Sequence, residues 1–381
     1  MRRSTAGLGR SHPPVGSRGA ARPRGRARRR GTFMPQRPRP TVTLHDVARR
    51  AGVSIATASR VLGNSARPVG RELQERVLAA ASELRYVPDA AARAMKRGSD
   101  AIGLLADDLT TPTIALVVAA MEREASAAGA FVTVSSTGGT PEGQLRAIEV
   151  SRAVRPRALV LTSGRIDAAA LGGRLLDALR SYTDEGGHVV VVGESDLPFT
   201  RIGFDDRGGA RTIGACVARH GHRRVAVLGG PEGDFTGAER VAGFLDGLAD
   251  HPDPVTDVRV VPCEVSRRGG HEATRALLAD GGDIDAILAV NDIVAIGALA
   301  ALRAARVPVP GRTSVVGVDD IPLAADVTPR LTTLALPFAR VGAEAIRRVV
   351  DPDAGPHRPL RVAGRPVIRE SLAPRGAARK R

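Results

Sequence analysis

The chain has 381 residues, a formal net charge of +16, two cysteines and no tryptophan. That length allows two or three domains and a large core. No apolar run approaches the ~20 residues of a membrane span, no hydrophobic region follows the basic N-terminus as a secretory signal requires, and Cys216 and Cys263 form neither a disulfide framework nor a metal pattern, so a reduced, cytoplasmic setting is expected.

The charge is unevenly spread. Residues 1–40 carry +12, 41–98 carry +5 and the tail 374–381 carries +4, which leaves −5 for residues 99–373. A positive N-terminal part joined to a mildly acidic bulk suits a nucleic-acid binder whose second domain holds something else.

In chain order, residues 1–40 are Arg, Gly and Pro with almost no apolar content, a composition that predicts disorder. Two readings stay open: a basic arm that holds DNA without sequence preference, or an untranslated stretch upstream of a start at Met34. Residues 43–62, TLHDVARRAGVSIATASRVL, then read as two short helices. Thr43 and Asp46 have the spacing of an acidic capping box. Leu44, Val47, Ala48 and Ala51 share a face, Gly52 supplies a left-handed stop, and Ser54 caps a second helix with Ile55, Ala58, Val61 and Leu62 at apolar spacing. Two helices joined by a short glycine turn make a helix-turn-helix; an ordinary helical hairpin inside an enzyme is the alternative. Residues 71–84 give a third helix with Leu73, Val77, Leu78, Ala81 and Leu84 on one face, which completes a headpiece over 41–88. Residues 89–97, DAAARAMKR, are helix-prone but about two turns long, too short to be stable alone; the segment 89–99 is read as a hinge helix and linker.

From residue 100 the pattern changes. Apolar, β-branched runs at 102–106, 131–135, 158–162, 189–193, 225–228, 258–262, 286–290 and 314–318 alternate with helical stretches such as 114–128, 207–219, 237–250, 270–279 and 293–305. This alternation predicts α/β architecture with parallel sheets covered on both faces, divided between two doubly wound lobes over 100–373. The segment from Ser314 to Leu334 is expected to carry the chain back between the lobes.

With these motifs in order, residues 41–373 resemble the LacI/GalR family of transcriptional regulators. The likeness rests on TLHDVARRAGVSIATASRVL, RELQERVLAA (71–80), YVPDAAAR (86–93), IGLL (102–105), GHRRVAVLGG (221–230), NDIVAIGAL (291–299), SVVGVDD (314–320) and LTTL (331–334). It implies an all-α headpiece followed by a core resembling type I periplasmic sugar-binding proteins. It also implies a homodimer on a near-palindromic, double-stranded operator and a small-molecule effector, most simply a carbohydrate, between the lobes. The resemblance puts Ser54, Ile55, Ala56, Thr57 and Arg60 on the recognition helix, and Arg93 and Met95 in a DNA-contacting hinge. Arg60 suits a bidentate contact to guanine, Ile55 and Ala56 suit thymine methyls, and Ser54 and Thr57 suit phosphates. Met95 stands where the family places a leucine wedge. Leu62-Gly63-Asn64 inverts the usual Leu-Asn-Gly, and Gly70 replaces the usual cap of the third helix. For the effector, the resemblance implies Arg240, Asn291 and Asp319, with Phe235 as a candidate platform for a sugar ring; Thr111-Pro112-Thr113-Ile114 lacks the aromatic surface usual at that turn.

Other constellations add no chemistry. His220 and His222 have no third ligand nearby in sequence and read as part of a turn. No GxSxG, P-loop or dinucleotide fingerprint occurs, so neither a cofactor nor an enzymatic activity is expected. The competing reading is a soluble sugar-binding protein of the same two-lobed fold without specific DNA recognition.

Overall fold

The computed structural model describes residues 42–62, 69–86, 100–281, 283–351 and 359–375. The chain divides into two compact units after Pro88.

The first unit holds helices α1 (Leu44–Ala51), α2 (Ile55–Leu62) and α3 (Arg71–Glu83). Thr43 and Asp46 close the expected capping box: the Asp46 amide donates to Thr43 Oγ1 and the Thr43 amide to Asp46 Oδ2 at 2.9 Å. The side-chain and then the backbone hydrogen bond from Thr43 hold the Asp46 carboxyl below its usual range. Gly52 ends α1 at φ 64°, in the left-handed region that a side chain disfavours. Arg76 of α3 then donates to the Ala51 carbonyl at 2.6 Å, satisfying an acceptor that the end of α1 leaves open. Val47, Ala48, Ala51, Ala58, Val77 and Ala80 form the small core. The face expected on the third helix is rotated: Val77 and Ala80 are buried, whereas Leu73 and Leu78 remain exposed. Small residues dominate this core because three short helices crossing within one turn leave little room between them.

The second unit alternates strands and helices throughout. Its first part runs β1 (Ala101–Ala106), α4 (Pro112–Ala127), β2 (Phe131–Ser136), α5 (Pro141–Ala153), β3 (Ala158–Ile166), α6 (Arg174–Asp184), β4 (His188–Ser195) and β5 (Thr200–Phe204). Next come α7 (Asp206–Arg219), β6 (Arg224–Gly229), α8 (Phe235–Ala249), β7 (Asp257–Pro262), α9 (Arg267–Ala279), β8 (Ala286–Ala289) and α10 (Asp292–Ala304). The chain ends with β9 (Ser314–Asp319), α11 (Pro322–Asp326), β10 (Thr332–Ala335), α12 (Phe338–Val350), β11 (Leu360–Val362) and β12 (Arg365–Val367). One sheet has the order β11-β5-β4-β3-β1-β2 and the other β12-β10-β9-β8-β6-β7. All pairings are parallel except β10 with β12. Central strands such as β1 (AIGLLA) and β8 (AILA) are buried at every residue, as strands covered on both faces must be.

The expected crossing point is displaced. Residues 314–334 do not leave the second lobe, because β9 and β10 are neighbours in one sheet, with Thr332 beside Val316. The return is made just after β10, where Leu336 to Phe338 lead into α12, which packs on α4 of the first lobe. Two further crossings flank it, at Phe204–Asp206 and at Val362–Arg365. The three lie together: the Asp205 amide donates to the Val362 carbonyl at 2.9 Å, and the rings of Phe204 and Phe338 are 5.1 Å apart. A Cβ on Gly364 would sit 2.8 Å from Leu336 Cδ2, so the third crossing passes the second only because residue 364 has no side chain. Strands β5, β10, β11 and β12 escaped the sequence reading because none is an apolar run of useful length. Arg375, assigned by sequence to the basic tail, instead pairs with the buried Asp285 of the second lobe. Among the described residues no helix is long and apolar enough to cross a membrane.

Replacing Arg76 with Met keeps the aliphatic stem and removes the bond to Ala51. A charged donor of this kind is worth about 1.5–3 kcal/mol. Amide hydrogen exchange of the full chain should quicken in α1 and α2 while the amides of β1 and β8 keep their protection.

Candidate functional sites

In the headpiece, Ser54 caps α2 by accepting the Thr57 amide at 3.1 Å, and the two hydroxyls bond each other at 2.9 Å. One hydroxyl proton of the pair is therefore left for a phosphate oxygen. Ala58 is buried against α1 and α3, which turns Ile55, Ala56 and Arg60 outward. Ile55 is 47% exposed, an unusual place for a large β-branched side chain, and Arg60 makes no ion pair among the described residues. The five residues expected on the recognition helix thus share its first turns. Arg93, Met95, the hinge 89–97 and the Gly63-Asn64 inversion lie outside the described residues.

The second site is a cleft of about 310 Å³ between the lobes of the second unit. It opens at the carboxyl ends of β1, β3 and β4 on one side and of β6, β8 and β9 on the other. Both sheets have the same strand order, with the reversal at β1 and at β6. The cleft is therefore where a doubly wound sheet binds its ligand.

Its centre is Arg240, on the second turn of α8 and buried. Nε donates to Asp206 Oδ1 at 2.8 Å, and Nη1 donates to Asp319 Oδ1 at 3.1 Å and to the Val290 carbonyl at 2.8 Å. Burial works against the guanidinium charge, but Asp206 and then Asp319 more than offset it. Asp319 ends β9 with φ 118° and Asp320 follows at φ 58°; this uncommon backbone turns the first carboxylate to Arg240 and the second to Arg369 at 2.7 Å. Asn291 caps α10 through Oδ1, which accepts the Val294 amide at 2.9 Å, so its amide nitrogen remains as the donor facing the cleft. Sequence reasoning missed Asp292. It is fully buried behind Asn291, accepts Thr333 Oγ1 at 2.6 Å and the Ile321 amide at 2.9 Å, and has its carboxyl pushed up by burial and then by the Asp319 charge. Asp319 is itself pushed up by burial, partly opposed by Arg240.

Phe235 lines the cleft as expected, but Arg165 from the first lobe lies 5.3 Å from its ring centroid, so one face of the candidate platform is taken. The aromatic surface missing from Thr111–Ile114 is supplied instead by Phe204 and Phe338 at the crossings. The first-lobe polar residues Asp107, Asp108, Ser163 and Glu194 were also missed; each follows the apolar part of a strand, which was the available signal. His220 and His222 are structural: Nδ1 of His220 meets the Cys216 carbonyl, and burial lowers the His222 imidazole to about 4, so it stays neutral beside the Ala373 carbonyl. Among the described residues no cluster of three ligating side chains could hold a metal.

A helix-turn-helix headpiece followed by a two-lobed ligand-binding core defines a DNA-binding regulator that answers to a small molecule. Residues 43–89 match bacterial regulatory proteins of the lacI family, and residues 216–372 match a periplasmic binding protein-like domain. The transcriptional regulator GalR of Salmonella typhimurium strain SL1344 is 31% identical over 80% of this chain and 87% of its own. The structure of the lac repressor dimer bound to operator and the anti-inducer ONPF superposes with a TM-score of 0.75 at 26% identity, covering 87% of this chain and 99% of that one. The complex of the regulator CelR with cellobiose gives 0.61 at 26% identity, covering 87% and 100%. The chain belongs to the LacI family of transcriptional regulators.

Exchange of Arg240 for Met should destabilise the protein by about 3–5 kcal/mol, since it leaves buried carboxylates without a counter-charge. The pH dependence follows from the raised carboxyls. A folded-state value above the unfolded one (~4) means the folded protein holds more protons, so stability falls as pH rises through that interval. Urea unfolding should therefore show a larger penalty for Arg240→Met at pH 8 than at pH 5, and Asp292→Asn should flatten the decline of the wild type.

Proposed function

We propose that the protein is a repressor that binds a near-palindromic operator as a homodimer and is controlled by a carbohydrate in the interlobe cleft. The observation that carries the DNA half is the outward face of α2, where an exposed isoleucine, a small alanine and an arginine without an ion pair among the described residues stand together on a capped helix. Arg60 reads guanine, Ile55 and Ala56 meet thymine methyls, and Ser54 and Thr57 hold phosphates. Arg93 and Met95 join them from the hinge, with Met95 as an apolar wedge. The operator complex of the lac repressor dimer supports this reading.

Arg240, Asn291 and Asp319 support the effector half: a guanidinium, an amide and a carboxylate on one wall satisfy hydroxyl groups as donors and as acceptors. Cellobiose bound to CelR points the same way. The dimer is supported by the edge strands β2 and β7, which occupy equivalent positions in the two sheets and expose Phe131, Val134 and Val260. Ligand binding changes the angle between the lobes at the three crossings, and that change decides whether the paired hinge segments 89–97 can order on DNA.

Arg60→Ala should weaken binding to a specific operator about 5- to 150-fold, the equivalent of about 1–3 kcal/mol, while random duplex is bound almost as before. Fluorescence anisotropy at fixed salt measures both; equal affinity of the wild type for operator and random duplex would refute sequence-specific repression. Asp319→Ala should keep operator affinity and lose the response to effector.

A further inference from the structure

The cleft is lined by seven carboxylates and three guanidinium groups. All three guanidiniums are already engaged: Arg207 with Asp246, Arg240 with Asp206 and Asp319, and Arg361 with Glu194. Four of the carboxylates, Asp107, Asp108, Asp234 and Glu239, have no guanidinium partner among the described residues. Arg165, which is not among the lining residues, is placed over the Phe235 ring.

Helix N-termini are the other usual resource for holding an anion, through their free amides and positive dipole ends. Three helices of the second lobe begin at the cleft, and each carries a carboxylate of its own chain there. In α7, Asp205 caps the helix by accepting the Gly208 amide and Asp206 is its first residue. In α8, Asp234 caps by accepting the Gly237 amide at 3.1 Å. In α10, Asn291 caps and Asp292 follows. In the second lobe the positions that would receive a phosphate or carboxylate group are thus filled from within; α4 of the first lobe begins at the cleft with no acidic residue in its first turn, but Asp107 and Asp108 precede it in the same lining. The lining has acceptors in excess, so a ligand must bring donors.

Resting on the reading that a small molecule occupies this cleft, we infer that its ligand is a donor-rich polyol without negative charge, either a neutral sugar or an amine-bearing one, and that phosphorylated sugars and sugar acids are excluded. An anion entering the cleft would meet the field of the four carboxylates without a guanidinium partner and, to use a cation of the lining, would have to break an existing ion pair; Arg165, outside that lining, is held over the Phe235 ring.

The field can be read without knowing the ligand. Thr113 lines the cleft on α4 and is half-buried. In Thr113→Cys, the labelling rates of cationic and anionic methanethiosulfonates of similar size are compared, with the unsubstituted protein as background and a free thiol as reference. The expected result is that the cationic reagent is favoured at least tenfold over the reference ratio in 50 mM salt, with the preference shrinking in 1 M salt and in Asp108→Asn/Glu239→Gln. An anionic reagent that reacts as fast as the cationic one, relative to reference, overturns the inference. So does finding, in a matched panel of hexoses, their amino forms, 6-phosphates and uronates, that an anionic member controls operator binding and loses its effect in Asp319→Ala. Failure of the broader reading is a separate result: Asp319→Ala would then abolish operator binding itself, whatever the labelling rates.

Discussion

The effector half of this molecule depends on one buried cation. Arg240 joins the start of α7, the end of β8 and the end of β9, three places far apart in sequence, through Asp206, the Val290 carbonyl and Asp319. A guanidinium removed from water is tolerated only when its charge and its donors are matched, and here two carboxylates and a carbonyl do both. The same requirement fixes the shape of the cleft wall. The backbone accepts positive φ at Asp319 and Asp320 because the two carboxylates must reach opposite partners. Asp292 lies behind them as a further acidic group held by Thr333 and Ile321. This wall of the cleft is thus already wired together by its own ion pairs and hydrogen bonds.

The two units divide their electrostatics accordingly. The positive charge belongs to the reading end of the chain and its tails, and residues 99–373 are net negative. Within that negative part the cleft lining has more carboxylates than guanidinium groups, so its field opposes a nucleic-acid phosphate. A neutral sugar, as proposed above, would be indifferent to the long-range field and would be selected by hydrogen bonds at contact distance.

Much of this was legible in the residues. The capping pair Thr43–Asp46, the stop at Gly52 and the cap at Ser54 are local chemistry, and each appears where its spacing put it. The eight apolar runs became eight strands: the inner ones because a strand covered on both faces has to be apolar throughout, and the edge strands β2 and β7 while staying largely exposed. Arg240, Asn291, Asp319 and Phe235 all line one cleft. What could not be read is what tertiary pairing creates. Strands such as Leu360–Val362 and Arg365–Val367 exist only because β5 and β10 offer an open edge. The first-lobe wall, Asp107, Asp108, Ser163 and Glu194, consists of ordinary polar residues whose significance comes from convergence. The crossing was misplaced because a run of β-branched residues signals a strand without saying which sheet receives it. Leu78, apolar and correctly spaced, stays exposed because the three-helix core is filled by smaller neighbours.

The last of the three crossings has a consequence for how the chain acquires its structure. Strand β11 completes the edge of the first sheet and β12 that of the second, while Ser371, a few residues later, is buried between Val315 and Thr332. Neither lobe is therefore whole until residues 360–371 have been made. The lobes are not successive products of synthesis, the first waiting finished while the second is made; they are closed together by the same short stretch. A chain interrupted anywhere before Leu360 lacks β11 from one sheet and β12 from the other, whereas the last helix of the headpiece ends at Glu83.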